Sequence, residues 1–335
     1  MINKIRVLIV DDSVLMLEAI KEILIGGGTF EVVGTAVNGK EAVEKAILLK
    51  PDVITMDLKM PVMSGLDAIE RIMEDNPISI IVVSSLDTSV IVKALSVGAL
   101  DFVAVNQDIE KLADELTEKV RIASRVKPLR RLKLKFSPET KKIENREVSK
   151  IVAIGASTGG PQALQELLSG IPHNFPAGII IIQHMSKGFV QGLAEWLSLC
   201  SHWSVKIAES GDVLKTGTVF LAPDGYNLEV DSGGKIVLIE DTSGKMLYVP
   251  SIDSMMKSVA KVYGADAIGV LMTGMGRDGV EGMRAIKQSG GRTIAQDEQS
   301  SVIFGMNKLA IDLDCVDNVV SLGGIAQMLT NLAGG

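Results

Sequence analysis

The sequence predicts two α/β domains in tandem, each a parallel sheet with helices on both faces. Three observations carry this. Short apolar runs of strand length alternate with stretches of helical period along the chain. The length, 335 residues, favours two domains of ordinary size over one. Glycine is frequent, at 33 residues, and aromatics make up only 4%, a pairing that suits many tight strand-to-helix turns. Apolar residues at 47% against charged residues at 22% leave enough material for buried cores.

The elements follow in order. Residues 6–10 are a buried-strand run. Ser13 caps a helix carrying Val14, Leu17, Ile20 and Leu24 at helical spacing, and Gly26-Gly27-Gly28 ends it. Residues 32–37 form a second strand, and residues 40–49 a helix that Pro51 stops. Residues 52–56, 78–83 and 102–105 are the third, fourth and fifth strands, with a last helix over 109–122. Five such units need crossovers, so this half is a doubly wound parallel sheet. In the second half, residues 151–154, 179–182 and 267–272 read as strands. An amphipathic helix carries Leu164, Leu167 and Leu168, and another covers 280–286. The second half is thus also a doubly wound parallel α/β domain.

Charge marks the boundaries. Residues 1–123 hold 12 basic and 20 acidic residues, residues 124–150 hold 10 and 3, and residues 151–335 hold 12 and 18. The net charge of −7 therefore hides a basic linker between two acidic domains. We place the domains at residues 4–123 and 149–335, with the linker at 124–148. The linker lacks a hydrophobic period and reads as a solvated tether or a strap along acidic faces. Nucleic-acid binding is not expected, because neither domain is basic and no aromatics interleave with the linker charges. The N-terminus fits no signal peptide, and runs such as 179–182 are far too short to span a bilayer, so a cytoplasmic protein without membrane insertion is expected. The two cysteines, Cys200 and Cys315, show no metal-type spacing and read as buried free thiols.

In open parallel sheets, ligands sit beyond the carboxyl ends of the strands. Asp11 and Asp12 lie just past the first strand, Asp57 past the third, and Ser84 and Ser85 past the fourth. Taken singly, such aspartates cap helices and line turns. Three carboxylates gathered on one rim repel one another unless a cation joins them, and an all-oxygen cluster suits Mg²⁺. One carboxylate can then act as a nucleophile toward a phosphoryl group.

These residues resemble the response-regulator receiver family, a flavodoxin-like (βα)5 fold. The resemblance rests on Val10-Asp11-Asp12-Ser13, on the run from Met56-Asp57 through Met60-Pro61 to Ser64-Gly65, and on Val83-Ser84-Ser85. It implies that Asp57 accepts the phosphoryl group, that Asp11 and Asp12 join it in holding Mg²⁺, and that Ser84 follows the phosphoryl group. The family normally ends its fifth strand with Lys-Pro. Here Val105-Asn106 stand there, and valine offers neither charge nor donor.

The second domain opens with a strand, then Gly155-Ala156-Ser157-Thr158-Gly159-Gly160-Pro161, then a helix start. A serine on such a turn is an exposed nucleophile, and helix-start N–H groups can hold an oxyanion. The pattern is not Gly-x-Ser-x-Gly, and the competing phosphate-loop reading fails because no lysine follows the glycines. The chain has three histidines. His173 falls in a loop and His202 after a helix, whereas His184 closes the apolar run 179–182 at a strand carboxyl end, on the rim expected for Ser157. Asp278, within Thr273-Gly274-Met275-Gly276-Arg277-Asp278-Gly279, is the candidate acid that orients His184. The alternative is that Asp278 only caps the helix after it.

These stretches resemble the chemotaxis-specific protein-glutamate methylesterase family, with Gln183-His184-Met185 and Pro250-Ser251-Ile252-Asp253 in support. Asn227 stands where the family usually has histidine, and Asn307 where it has proline. The resemblance implies hydrolysis of glutamyl methyl esters, and deamidation of glutamines, on methyl-accepting chemotaxis receptors. It implies the catalytic set Ser157, His184 and Asp278, with Thr158 positioning His184 and N–H groups near Met275 and the Ser157 turn binding the oxyanion. No cofactor enters the ester chemistry. A chemotaxis histidine kinase would phosphorylate the receiver and relieve a block on the catalytic face. A second expectation keeps the esterase and makes the receiver, with Val105, a constitutive interaction module. A non-catalytic or DNA-binding output domain is disfavoured by the intact Ser157, His184 and Asp278 and by the domain's acidity.

Overall fold

The computed structural model describes residues 4–26, 28–85, 88–105, 109–126, 148–241 and 248–334. The chain divides into two compact units, Met1–Leu134 and Lys135–Gly335. The basic linker, apart from residues 124–126 and 148, lies outside the described residues, as do Gly27 and Asn106.

The first unit runs β1 (Ile5–Val10), α1 (Val14–Gly26), β2 (Phe30–Ala36), α2 (Gly39–Leu49), β3 (Val53–Met56), α3 (Gly65–Asp75), β4 (Ser79–Ser84), α4 (Thr88–Val97), β5 (Asp101–Ala104) and α5 (Ile109–Ala123). The strands pair in parallel in the order β2-β1-β3-β4-β5. This is the flavodoxin-like order, whose switch point lies between β1 and β3. Val7, Ile9, Val53, Ile81 and Val103 pack one face of the sheet against Leu17, Ile20 and Leu24 of α1 and Leu112, Leu116 and Val120 of α5. Val14 does not share that face, being 70% exposed. It stands at the helix start, where Ser13 Oγ accepts the N–H of Met16 at 3.4 Å.

The second unit runs β6 (Ile151–Ala156), α6 (Gly160–Gly170), β7 (Gly178–Gln183), α7 (Val190–Cys200), β8 (Ser204–Ile207), β9 (Thr218–Leu221), β10 (Tyr226–Val230), β11 (Ile236–Glu240), α8 (Ile252–Tyr263), β12 (Ala267–Leu271), α9 (Val280–Gln288), β13 (Arg292–Gln296), α10 (Met306–Asp312), β14 (Asn318–Val320) and α11 (Leu322–Gly334). Seven strands form a parallel sheet in the order β14-β13-β12-β6-β7-β9-β8, and β10 and β11 form a separate antiparallel hairpin. Every residue of β6, β7 and β12 is buried, as expected for central parallel strands covered on both faces. Ile180, Ile182 and Phe220 of the sheet share a core with Met255, Met256 and Val259 of α8 and Met283 and Ile286 of α9. The strand order reverses at β6, which has β7 on one side and β12 on the other. The carboxyl ends of these three strands form the rim on which a site belongs.

The fold adds elements that the apolar runs do not announce. β8, β9, β13 and β14 extend the sheet to both edges, and the β10–β11 hairpin stands apart from it. No disulfide joins the two cysteines, of which Cys315 is buried and Cys200 half-buried. Among the described residues, no helix is long and apolar enough to cross a membrane.

Candidate active site

Ser157 is the first residue past β6. Its N–H donates to the carbonyl of Thr273 at 3.0 Å, which ties the turn to the end of β12. Its carbonyl accepts the N–H of Gly160 at 2.8 Å and the side-chain amide of Gln183, also at 2.8 Å. The same amide donates to the carbonyl of His184 at 2.8 Å. Gln183, the last residue of β7, therefore clamps the backbones of Ser157 and His184 together. Opposite Ser157 lies Gly274, where a Cβ would stand 2.7 Å from the Cβ of Ser157. Only a glycine leaves that approach open.

His184 follows β7, with its N–H on the carbonyl of Ala156 at 2.9 Å. Its ring nitrogen Nε2 lies 3.0 Å from Oδ2 of Asp278. The ring stacks on Tyr248, with centroids 5.0 Å apart and planes 7° from parallel. Asp278 is 3% exposed. Besides His184 it accepts the N–H of Ile252 at 2.7 Å, the N–H of Asp253 at 3.0 Å and the hydroxyl of Ser251 at 3.0 Å. Burial pushes the Asp278 carboxyl up. The hydrogen bond from His184 and the two N–H donors outweigh it and hold the carboxyl below its usual range. A carboxylate only accepts, so Nε2 is the nitrogen that donates to Asp278, which leaves Nδ1 as the other ring position.

The alternative role for Asp278 does not describe its geometry. Helix α9 has Gly279 at its N-cap, a residue with no side chain to cap with, and among the described residues the Asp278 carboxylate takes no N–H of α9. The Asp278 carboxylate instead meets the N-terminus of α8, where the helix dipole favours a negative charge. Ser157 stands on the neighbouring strand end, joined to His184 through Gln183, while its hydroxyl makes no hydrogen bond to the imidazole. The carbonyl of Thr158 accepts the hydroxyl of Thr273 at 2.9 Å, and no hydrogen bond links the Thr158 side chain to His184. Among the described residues, the N–H groups of Thr158 and Met275 meet no protein acceptor.

Two departures from the family pattern are buried contacts. Asn227 on β10 is 1% exposed, and its Oδ1 accepts the N–H of Ser251 at 2.8 Å. The side-chain amide of Asn307 donates to the carbonyl of Gln296 at 2.8 Å, while Oε1 of Gln296 accepts the N–H of Thr273 at 2.9 Å. Sequence reasoning assigned no role to Tyr248, and it carried Gln183 and Ser251 only as members of family motifs and Asn227 only as a departure from one.

In the first unit, Asp11 and Asp57 follow the adjacent strands β1 and β3. A cleft of about 520 Å³ is lined by Asp12, Asp57, Lys59, Met60, Pro61, Ser84 and Ser85. Oδ1 of Asp57 accepts the hydroxyl of Ser84 at 2.9 Å, and Oδ2 the N–H of Lys59 at 3.1 Å. Ser84 is the last residue of β4 rather than the first beyond it. Asp11 is pushed up to about 6, by burial first and then by the charges of Asp57 and Asp12 against one N–H from Ser13. Burial and the charge of Asp12 also raise Asp57, against hydrogen bonds from Ser84, Leu58 and Lys59. Carboxylates raised by burial and by acidic neighbours in this way fit a bound cation. Among the described residues no three acidic, imidazole or thiol groups close on one point. Mg²⁺ does not need three, since it commonly takes one or two carboxylates and keeps its waters. Val105 packs against the core of this unit and donates its N–H to the carbonyl of Ser84 at 3.1 Å.

Comparisons with known proteins agree on both halves. A family described as CheB methylesterase matches residues 152–329, and the response regulator receiver domain matches residues 7–117. The chain is 42% identical to a protein-glutamate methylesterase/protein-glutamine glutaminase of Pyrococcus abyssi, over 97% of this chain and 92% of that one. It is 41% identical to the protein of the same name from Thermotoga maritima, over 98% of each. The solved CheB methylesterase catalytic domain of Thermotoga maritima superimposes with a TM-score of 0.52 at 39% identity, covering 55% of this chain and 98% of that domain. A rim of Ser157, His184 and Asp278 beyond a parallel sheet, preceded by an acid-lined (βα)5 unit, thus places the chain in the CheB methylesterase family, with a response regulator receiver domain ahead of the catalytic domain.

Proposed function

We propose that this chain hydrolyses glutamyl methyl esters on chemoreceptors and deamidates receptor glutamines by the same acyl chemistry. The observation that carries the reading is the 3.0 Å bond from His184 Nε2 to Asp278, on the rim that also bears Ser157. Names of relatives at about 40% identity over nearly the whole chain support it. In this mechanism Oγ of Ser157 attacks the ester carbonyl carbon while Nδ1 of His184 takes its proton. The N–H groups of Thr158 and Met275 are the candidate donors to the oxyanion. The tetrahedral intermediate collapses, and methanol leaves with the proton from Nδ1. Water, deprotonated by His184, then clears the acyl-enzyme and frees the glutamate and Ser157. With a glutamine substrate ammonia leaves in place of methanol. Asp278 holds the tautomer and stays ionised throughout. Methanol release from methylated receptor membranes is the assay, and Ser157→Ala abolishes it. Near-native release by that variant would end the assignment.

We infer further that a chemotaxis histidine kinase phosphorylates Asp57 and that this raises esterase activity. Asp11, Asp12 and Asp57 would hold Mg²⁺. Bound there, Mg²⁺ supplies the positive charge that the acid cluster and phosphoryl oxygens need. The hydroxyl of Ser84, already on Asp57, would follow the phosphoryl group. One observation favours a second reading, in which the receiver is a constitutive interaction module. Val105 turns to the core, so the fifth strand brings no cation to the cleft.

A further inference from the structure

The catalytic acid is held by an exchange between two helices. Asp278 precedes α9 but gives its carboxylate to the start of α8, at the N–H groups of Ile252 and Asp253. Asp253 sits in the first turn of α8 but gives its Oδ1 to the start of α9, at the N–H of Gly279 (2.9 Å) and of Gly282 (2.8 Å). Each acid caps the other's helix. The helices nearly touch there, since a Cβ on Gly282 would lie 2.6 Å from the Cβ of Met256. Asp253 thus fixes the backbone immediately after Asp278, and Asp278 fixes the backbone at Asp253.

Ser251 completes the lock. It is the N-cap of α8, with its Oγ accepting the N–H of Ser254, and it donates that hydroxyl's proton to Oδ1 of Asp278. Its own N–H is taken by Asn227. A chain of contacts therefore runs from Asn227 on β10 through Ser251 to Asp278 and His184. Two like charges face each other at this crossing. Burial and the charge of Asp278 push the Asp253 carboxyl up, against N–H donors from Gly282 and Gly279 and the charge of Lys257. A cap serving only its own helix needs no such confrontation. The exchange leaves the Asp278 carboxylate one orientation, and the imidazole inherits it.

We propose that Ser251 and Asp253 are positioning residues of this esterase: they fix the Asp278 carboxylate and, through it, the His184 ring, with Asn227 holding Ser251 in place. The proposal rests on the esterase reading. The full-length protein is assayed for methanol release from methylated receptor membranes, with melting curves in parallel. Ser251→Ala and Asp253→Ala each lower kcat about tenfold and leave KM within about twofold. Ser251→Thr restores the hydroxyl, and Asp253→Asn keeps an oxygen for both N–H groups; each recovers most of kcat. Alanine variants with native kcat overturn the proposal. So does a rise in KM at unchanged kcat, which places these residues on substrate, or a loss that the conservative variants do not recover. Should Asp253→Ala fail to fold, the Ser251 pair decides alone. No methanol release from the native chain sinks the esterase reading and the proposal together, whereas native release with unaffected variants sinks the proposal only.

Discussion

Asp278 receives four donors on two oxygens, and one of them is the imidazole it orients. An amide in its place would turn an NH₂ toward Nε2 and favour the wrong tautomer, with Nδ1 protonated. Asp278→Asn therefore lowers kcat of methanol release about 10³- to 10⁴-fold while the fold survives. A loss of less than about tenfold shows that His184 does not depend on this acid. His184 itself was legible because it closes a run of isoleucines, and uniform apolarity marks a central strand whose end lies on the rim. Asp278 was legible only as one of two alternatives. Local spacing makes it the cap of its own helix, and which N–H groups it meets depends on a helix that starts 26 residues earlier. Tyr248 had no signal at all, since its role is a stacking distance.

At the scale of elements, the site is where three parallel strands end side by side. β6 brings Ser157, β7 brings Gln183 and His184, and the loop after β12 brings Gly274 through Asp278. That loop passes close enough to Ser157 that a methyl on Gly274 would press on the Cβ of Ser157 and on Cε of Met306, at 2.7 and 2.4 Å. Gly274→Ala is expected to destabilise the unit by about 2 kcal/mol and to lower kcat further than KM changes. Chemical denaturation and methanol-release kinetics check the two parts, and a variant with native kcat shows that the loop has room to give. Strands long and apolar enough to be buried on both faces were readable. β8, β14 and the β10–β11 hairpin were not, because short edge and hairpin strands carry mixed burial and no continuous apolar run. The hairpin reaches the candidate site all the same, since it brings Asn227 to Ser251.

For the whole molecule, the prediction to test is that the acid cleft of the first unit controls the serine of the second. Asp57 keeps the hydroxyl of Ser84 and the neighbouring Asp11 and Asp12, while Val105 brings no charge. Incubation of the full-length protein with Mg²⁺ and a small acyl-phosphate donor is expected to label Asp57 and raise methanol release about tenfold. Asp57→Asn removes both effects and keeps the basal rate. An unlabelled Asp57, or labelling without a rise in rate, favours the constitutive module. Lys59, which lines the same cleft, is the one base among its lining residues.

The sequence by itself determined the two-domain α/β class, the strand ends that carry Asp11, Asp57, Ser157 and His184, and the basic stretch between the domains. Those features are periodic or local, and burial on both faces leaves a mark in every residue of a central strand. Tertiary structure alone decided the order of the strands, the nitrogen of His184 that meets Asp278, and the exchange of caps between α8 and α9. Each of these depends on which backbone donor stands within 3 Å of which oxygen. Such pairs lie far apart along the chain, and only packing brings them together.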